Sequence, residues 1–120
     1  MKALFDTNIL IDYLNGIAAA KTELDLYGSR AISIVTWMEV MSGGEPAVAD
    51  TTRGFLNQFN VIPIGEAIAE SAVKLRRERR LKLPDAIILA TSLETGLLLV
   101  TRNTKDFDGK LPGVRHPYHL

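Results

Sequence analysis

Leu4-Phe5-Asp6-Thr7-Asn8 is the stretch whose reading decides the fold. Lys2 to Phe5 is a short apolar run suited to a buried strand, and Ile9 opens a helical pattern directly after three polar residues. Asp6 therefore falls at a strand-to-helix junction. In open α/β sheets ligands bind outside the carboxyl ends of the strands, so a carboxylate there suits a metal or phosphate site. The same residues would serve equally well as caps of the helix that follows.

Outward from this junction the chain alternates. Helical stretches are expected over Ile9–Asn15 and Ile17–Tyr27, stopped at Gly16 and Gly28, and a second strand over Ala31–Val35. Thr36 would cap a helix from Trp37 to Ser42, and Pro46 stands near the start of another that runs to Gln58. Val61–Ile64 reads as a third strand, and Glu66–Arg80 as a helix with Ile68, Ala72 and Leu75 on one face. Leu83-Pro84-Asp85 opens a further helix, apolar nearly all round from Ala86 to Leu93 and therefore buried. Gly96 ends it. Leu97–Thr101 is an uninterrupted apolar strand of the parallel-sheet kind, Thr104–Asp108 one helical turn, and Val114–His116 a small edge strand.

This alternation gives an α/β sandwich with a mainly parallel sheet, in one domain spanning residues 1–120. A helix that feeds the next parallel strand must begin at the carboxyl edge of the sheet. That places Asp85 on the same rim as Asp6. Glu39, after the second strand, and Asn103 and Asp106, after the fourth, join them.

Composition narrows the chemistry. There is no cysteine, which excludes disulfides and thiolate zinc sites, and the two histidines, His116 and His119, both sit in the tail. No secretory leader and no run of membrane-spanning length is seen, so a soluble, cytoplasmic protein with no membrane association is expected. The 14 basic and 14 acidic side chains balance. Their distribution does not: six of the nine residues from Lys74 to Lys82 are cationic, including Arg76, Arg77, Arg79 and Arg80, with only Glu78 opposing them. Such a stripe can follow a phosphate backbone, or simply be a solvated helix end whose cations complement the dipole.

Each rim acid also has a structural explanation. Thr36 and Glu39 match a capping box, and Asp85 and Asp106 can complement helix N-termini. Gathered together, however, unpaired carboxylates repel and require a compensating cation. Oxygen donors suit Mg²⁺ or Mn²⁺.

Four segments together resemble a family: Leu4-Phe5-Asp6-Thr7-Asn8; Ser33-x-x-Thr36-x-x-Glu39 with Gly43; Leu83-Pro84-Asp85-Ala86-x-Ile88-x-Ala90-Thr91; and Val100-Thr101-Arg102-Asn103-x-x-Asp106-Phe107. In order and spacing they are similar to the PIN-domain ribonucleases, and within these to the VapC toxins of type II toxin–antitoxin pairs. The resemblance implies a three-layer α/β/α sandwich around about five parallel strands, and a Mg²⁺-dependent endoribonuclease leaving a 5′-phosphate and a 3′-hydroxyl. It implies Asp6 and Asp85 as principal metal ligands, Glu39 completing the acidic pocket, and either Asn103 or Asp106 at the fourth position, where relatives often carry Asp. Thr7 and Asn8 would orient the site from behind. Arg76, Arg77, Arg79, Arg80, Lys82 and Arg102 are the candidates for contact with RNA.

A homodimer and a small VapB-like antitoxin are the implied partners, the latter lying in a groove that Ile11, Tyr13 and Leu14 could line; plain core is the competing reading of those three. Two other classes compete. A non-catalytic PIN-like module would bind RNA or a partner without cutting. A haloacid-dehalogenase-like phosphohydrolase would need a second Asp where Asn8 stands.

Overall fold

The computed structural model describes all 120 residues. Strands β1 (Lys2–Phe5), β2 (Ser29–Ser33), β3 (Asn60–Ile62), β4 (Leu98–Val100) and β5 (Val114–Arg115) form one sheet in the order β3-β2-β1-β4-β5, every pair parallel. Helices α1 (Thr7–Leu14), α2 (Ala18–Asp25), α3 (Ile34–Gly43), α4 (Ala49–Leu56), α5 (Glu66–Arg79) and α6 (Leu83–Thr95) flank it, with a short 3-10 segment at Pro46–Val48.

The two-residue period of the strands sorts the core into two layers. Leu4, Ala31 and Leu99 point to the side where Ile68, Ala72 and Leu75 of α5 pack with Ala86, Leu89 and Ala90 of α6. Ala3, Phe5, Ile32 and Val100 point to the other, against Ile9 and Leu10 of α1, Leu24 of α2, Val40 of α3 and Leu56 of α4. Phe5 meets Tyr27 and Phe59 edge-on there, at 5.4 and 6.2 Å between ring centroids. The three-layer α/β/α sandwich with five parallel strands is therefore observed. Parallel pairing of β1 and β4 also sends α6 back across the sheet, so its first turn, which carries Asp85, lies at the carboxyl edge.

Three local expectations are corrected. The second strand ends at Ser33, not Val35, and α3 starts at Ile34. Ile34 and Val35 are β-branched and read as strand, but the Ser33 hydroxyl accepts a hydrogen bond from the Val35 amide at 3.1 Å and caps the helix there. Thr36 is consequently inside the helix and not its cap. The segment from Thr104 to Asp108 makes turns without becoming a helix, because the Asn103 side chain captures the amides of Lys105 and Asp106 at 3.2 and 3.0 Å. The helix expected from Pro46 to Gln58 begins as the 3-10 segment and is α-helical only over Ala49–Leu56. No helix is long and apolar enough to cross a membrane.

Candidate active site

Asp6 closes β1 and caps α1: its Oδ1 accepts from the Thr7 amide at 2.7 Å, while its own amide donates to the Val100 carbonyl at 2.9 Å. The register that pairs Phe5 with Val100 brings Thr101 alongside, and the Thr101 hydroxyl, fully buried, donates to Asp6 Oδ2 at 2.7 Å. Asn8 Nδ2 donates to the same oxygen at 3.2 Å, and Asn8 Oδ1 accepts from the Arg102 amide at 3.1 Å. The Asn103 amide donates to the Thr101 hydroxyl at 3.0 Å. One polar network thus joins the loop after β4 to the first turn of α1.

Two further links carry the remaining acids. Glu39, exposed on α3, accepts from the Thr7 hydroxyl at 2.7 Å, and Thr7 also lies 3.1 Å from the buried Thr36 hydroxyl. Glu39 therefore faces Thr7 across 32 residues and does not form a capping box. Asn103 Nδ2 donates to Asp106 Oδ2 at 3.0 Å, so the amide orients the carboxylate three residues on. Asp85 is half-buried in the first turn of α6.

Electrostatics tie these groups into one site. Burial pushes the Asp6 carboxyl up to about 6, against its hydrogen bonds from Thr101 and Thr7, and the charges of Asp85 and Glu39 add to the rise. Asp85 is also raised, first by burial and then by Asp106 and Glu39, with Lys82 opposing. Asp6 thus feels Asp85 and Glu39, Asp85 feels Asp106 and Glu39, and none of the four is in an ion pair. They do not form a closed cage, since no three acidic or histidine side chains converge tightly enough for one. The donors are hard oxygens on an open, acidic rim, a set that fits a cation keeping much of its own water and taking one or two carboxylates, as Mg²⁺ does.

The cationic candidates divide. Arg77, Arg79, Arg80 and Lys82 are exposed around the end of α5, and Arg76 donates to the Leu81 carbonyl at 2.9 Å. Arg102 instead holds Asp12 with two hydrogen bonds, at 2.7 and 3.0 Å. Ile11 and Leu14 stand exposed along a groove that Val40 and Val48 also line, whereas Tyr13 stacks on Phe55 at 4.8 Å. His116 is spent on the Phe107 carbonyl.

Reading the sequence missed Thr101 as a partner of Asp6 and Asp12 as an anchor. The first was within reach, since aligning two parallel apolar strands places the residues that follow them side by side. The second left only a faint signal, one carboxylate in the otherwise apolar run Ile9–Leu14.

The chain is similar to known proteins over most of its length. The PIN domain profile matches residues 3–109. The chain is 33% identical over 112 residues to Ribonuclease VapC10 of Mycobacterium tuberculosis, covering 87% of this chain and 84% of that protein. It is 29% identical over 127 residues to the tRNA(fMet)-specific endonuclease VapC of Shigella flexneri, covering 96% of each. A chain in a toxin–antitoxin complex from Klebsiella pneumoniae is 52% identical and superposes with a TM-score of 0.92, over 98% of this chain and 99% of that one. FitAcB from Neisseria gonorrhoeae, 23% identical with a TM-score of 0.79 over 100% of both chains, shares the fold.

Proposed function

The chain belongs to the PIN-domain family, and from that premise we propose that it is the toxin of a VapBC-type toxin–antitoxin pair, a divalent-metal-dependent endoribonuclease that hydrolyses RNA phosphodiesters at the acidic rim. The observation that carries this reading is the set of rim carboxylates without an ion-pair partner, in which Asp85 and Glu39 act on Asp6, and Asp106 and Glu39 act on Asp85. The relatives from Mycobacterium tuberculosis and Shigella flexneri, named as a ribonuclease and an endonuclease, support it.

Asp6 and Asp85 would hold Mg²⁺, or Mn²⁺ in its place, with Glu39 and Asp106 completing the negative pocket. Bound there, the cation would supply charge neutralisation to a phosphate and greater acidity to a water. Asp6 is fixed for this task, since both of its oxygens accept hydrogen bonds. Glu39, exposed and hydrogen-bonded by the Thr7 hydroxyl, would accept a proton from an attacking water. Attack at phosphorus with departure of the 3′-oxygen, which takes up a proton, would leave a 5′-phosphate and a 3′-hydroxyl. Asn103 would serve by orienting Asp106, so that Asp106 supplies the fourth carboxylate.

An antitoxin partner is supported by the 52% identity to a chain solved in a toxin–antitoxin complex, and it would lie in the apolar groove lined by Ile11, Leu14, Val40 and Val48. A homodimer is the proposed assembly. Incubating the purified protein with RNA and Mg²⁺ tests the catalytic reading. Cleavage is expected in the wild type and a loss of about a hundredfold or more in Asp6→Asn and in Asp85→Asn. Equal cleavage by these variants would refute it.

A further inference from the structure

Helices α5 and α6 end in the same way, on a residue in the left-handed region, but with opposite choices of residue. At the end of α6 that residue is Gly96, at φ 72°, where the absence of a Cβ removes the steric cost. At the end of α5 it is Arg80, at φ 56° and ψ 33°, and Arg80 is the one non-glycine residue with a positive φ. A long cationic side chain kept where glycine would be less strained points to a use for that side chain.

Its surroundings indicate the use. Arg80 lines a concavity with Arg76, Arg77, Val73 and Leu81. Three guanidinium groups share this hollow, and none is in an ion pair. The hollow is partly organised in advance, because Arg76 is held by the Leu81 carbonyl at 2.9 Å and Leu81 is buried. Two other arginines of this chain are neutralised by buried acids, Arg102 by Asp12 and Arg115 by Glu23. The trio around Arg80 has no such acid. Guanidinium groups match phosphate oxygens through paired N–H donors, so the missing anion is best supplied by a phosphate.

We propose that Arg76, Arg77 and Arg80 form a receptor for a backbone phosphate of single-stranded RNA, a second hold on the substrate beside the acidic rim. The assignment rests on the ribonuclease reading above. RNA is favoured over an acidic protein segment because of where the hollow lies. Asp85 is five positions after Arg80, which keeps their Cα atoms within about 18 Å even if the chain were fully extended. One RNA strand can therefore reach both places. Lys82 stands between them, close enough to act on Asp85.

The test is binding of a short fluorescein-labelled single-stranded RNA of mixed sequence in EDTA, followed by anisotropy across a range of salt. The Arg77→Ala/Arg80→Ala double variant is expected to bind about tenfold more weakly at low salt, with a log–log salt slope about 0.7 shallower than wild type, the loss of one phosphate contact. Arg80→Gly separates function from folding: it should weaken RNA binding while its melting temperature holds or rises, since glycine relieves the backbone. In Mg²⁺ the double variant should raise KM and leave kcat within about twofold. Unchanged affinity and slope in the double variant would overturn the proposal. So would a labelled oligoglutamate peptide that loses its binding in that variant while RNA binding persists, which would assign the hollow to an acidic partner. Because binding is read without cleavage, failure here leaves the test at Asp6 and Asp85 independent.

Discussion

Asp6 and Glu23 are both almost fully buried, at 4% and 3% exposed, yet the protein treats them in opposite ways. Glu23 accepts two hydrogen bonds from Arg115, at 2.7 and 2.9 Å, and one from the Tyr27 hydroxyl at 2.8 Å. Burial works to raise its carboxyl, but these partners outweigh burial and hold it below the usual carboxylate range. Asp12 is built alike, with Arg102 and the Tyr118 hydroxyl on its oxygens. Asp6 receives only neutral donors, and the charges nearest to it in effect are other acids. The chain therefore has the means to neutralise a buried carboxylate and applies them at two anchors, where β5 and the C-terminal tail are tied to α1 and α2. At the rim it leaves the negative charge open. The contrast separates acids neutralised within the fold from acids left without a cationic partner.

Removing a cation from an anchor should give the largest effect. Arg102→Leu would leave Asp12 buried with only a tyrosine hydroxyl, and loss of one member of a buried pair costs about 3–5 kcal/mol. The lower end applies, because the Arg102 side chain is 33% exposed. Urea unfolding measures this, and a loss under about 1 kcal/mol would break the comparison.

A smaller effect of opposite sense is expected on acidifying the metal-free protein. The Asp6 carboxyl lies at about 6 in the folded chain against 3.8 for an unperturbed group, so the folded state holds this proton more tightly. Its contribution favours folding below about pH 4 and is lost as pH rises through 6, with a span of at most about 3 kcal/mol. Glu23, shifted downward, contributes stability at neutral pH that disappears on acidification. Comparing wild type with Asp6→Asn in EDTA from pH 7 to pH 4 isolates the first term. Wild type should gain on the variant as pH falls, and parallel curves would contradict the assignment.

How far these two kinds of acid could be told apart from sequence depends on the range of the contacts. Strand β1, the buried run of α6 and the carboxyl-edge position of Asp85 follow from local periodicity and from the handedness of parallel crossovers. Asp6, Glu39, Asp85 and Asp106 could be named because each follows a strand or opens a helix. The anchors could not, since Arg102 and Arg115 meet their acids across 90 and 92 residues with no periodic signal to join them. The start of α3 was also hidden. Ile34 and Val35 carry strand propensity, and only the Ser33 hydroxyl on the Val35 amide reveals the helix boundary.

Thr7 sharpens the comparison at the smallest scale. Its hydroxyl aims Glu39 and lies against the buried Thr36 hydroxyl. Thr7→Val should cost about 1 kcal/mol of stability. It should lower kcat more than it raises KM, because Glu39 would remain present but unaimed. A change in KM alone would place Glu39 in substrate binding.

Uptake of a dication by the open charge of the rim can be measured directly by thermal unfolding at pH 7.5 with EDTA and with millimolar Mg²⁺, in wild type and in Asp6→Asn. A cation that binds only the folded rim must raise the melting temperature. The rise is expected in the wild type and should vanish in the variant. No rise in the wild type, or an equal rise in both, would mean that the open carboxylates are not where the dication binds.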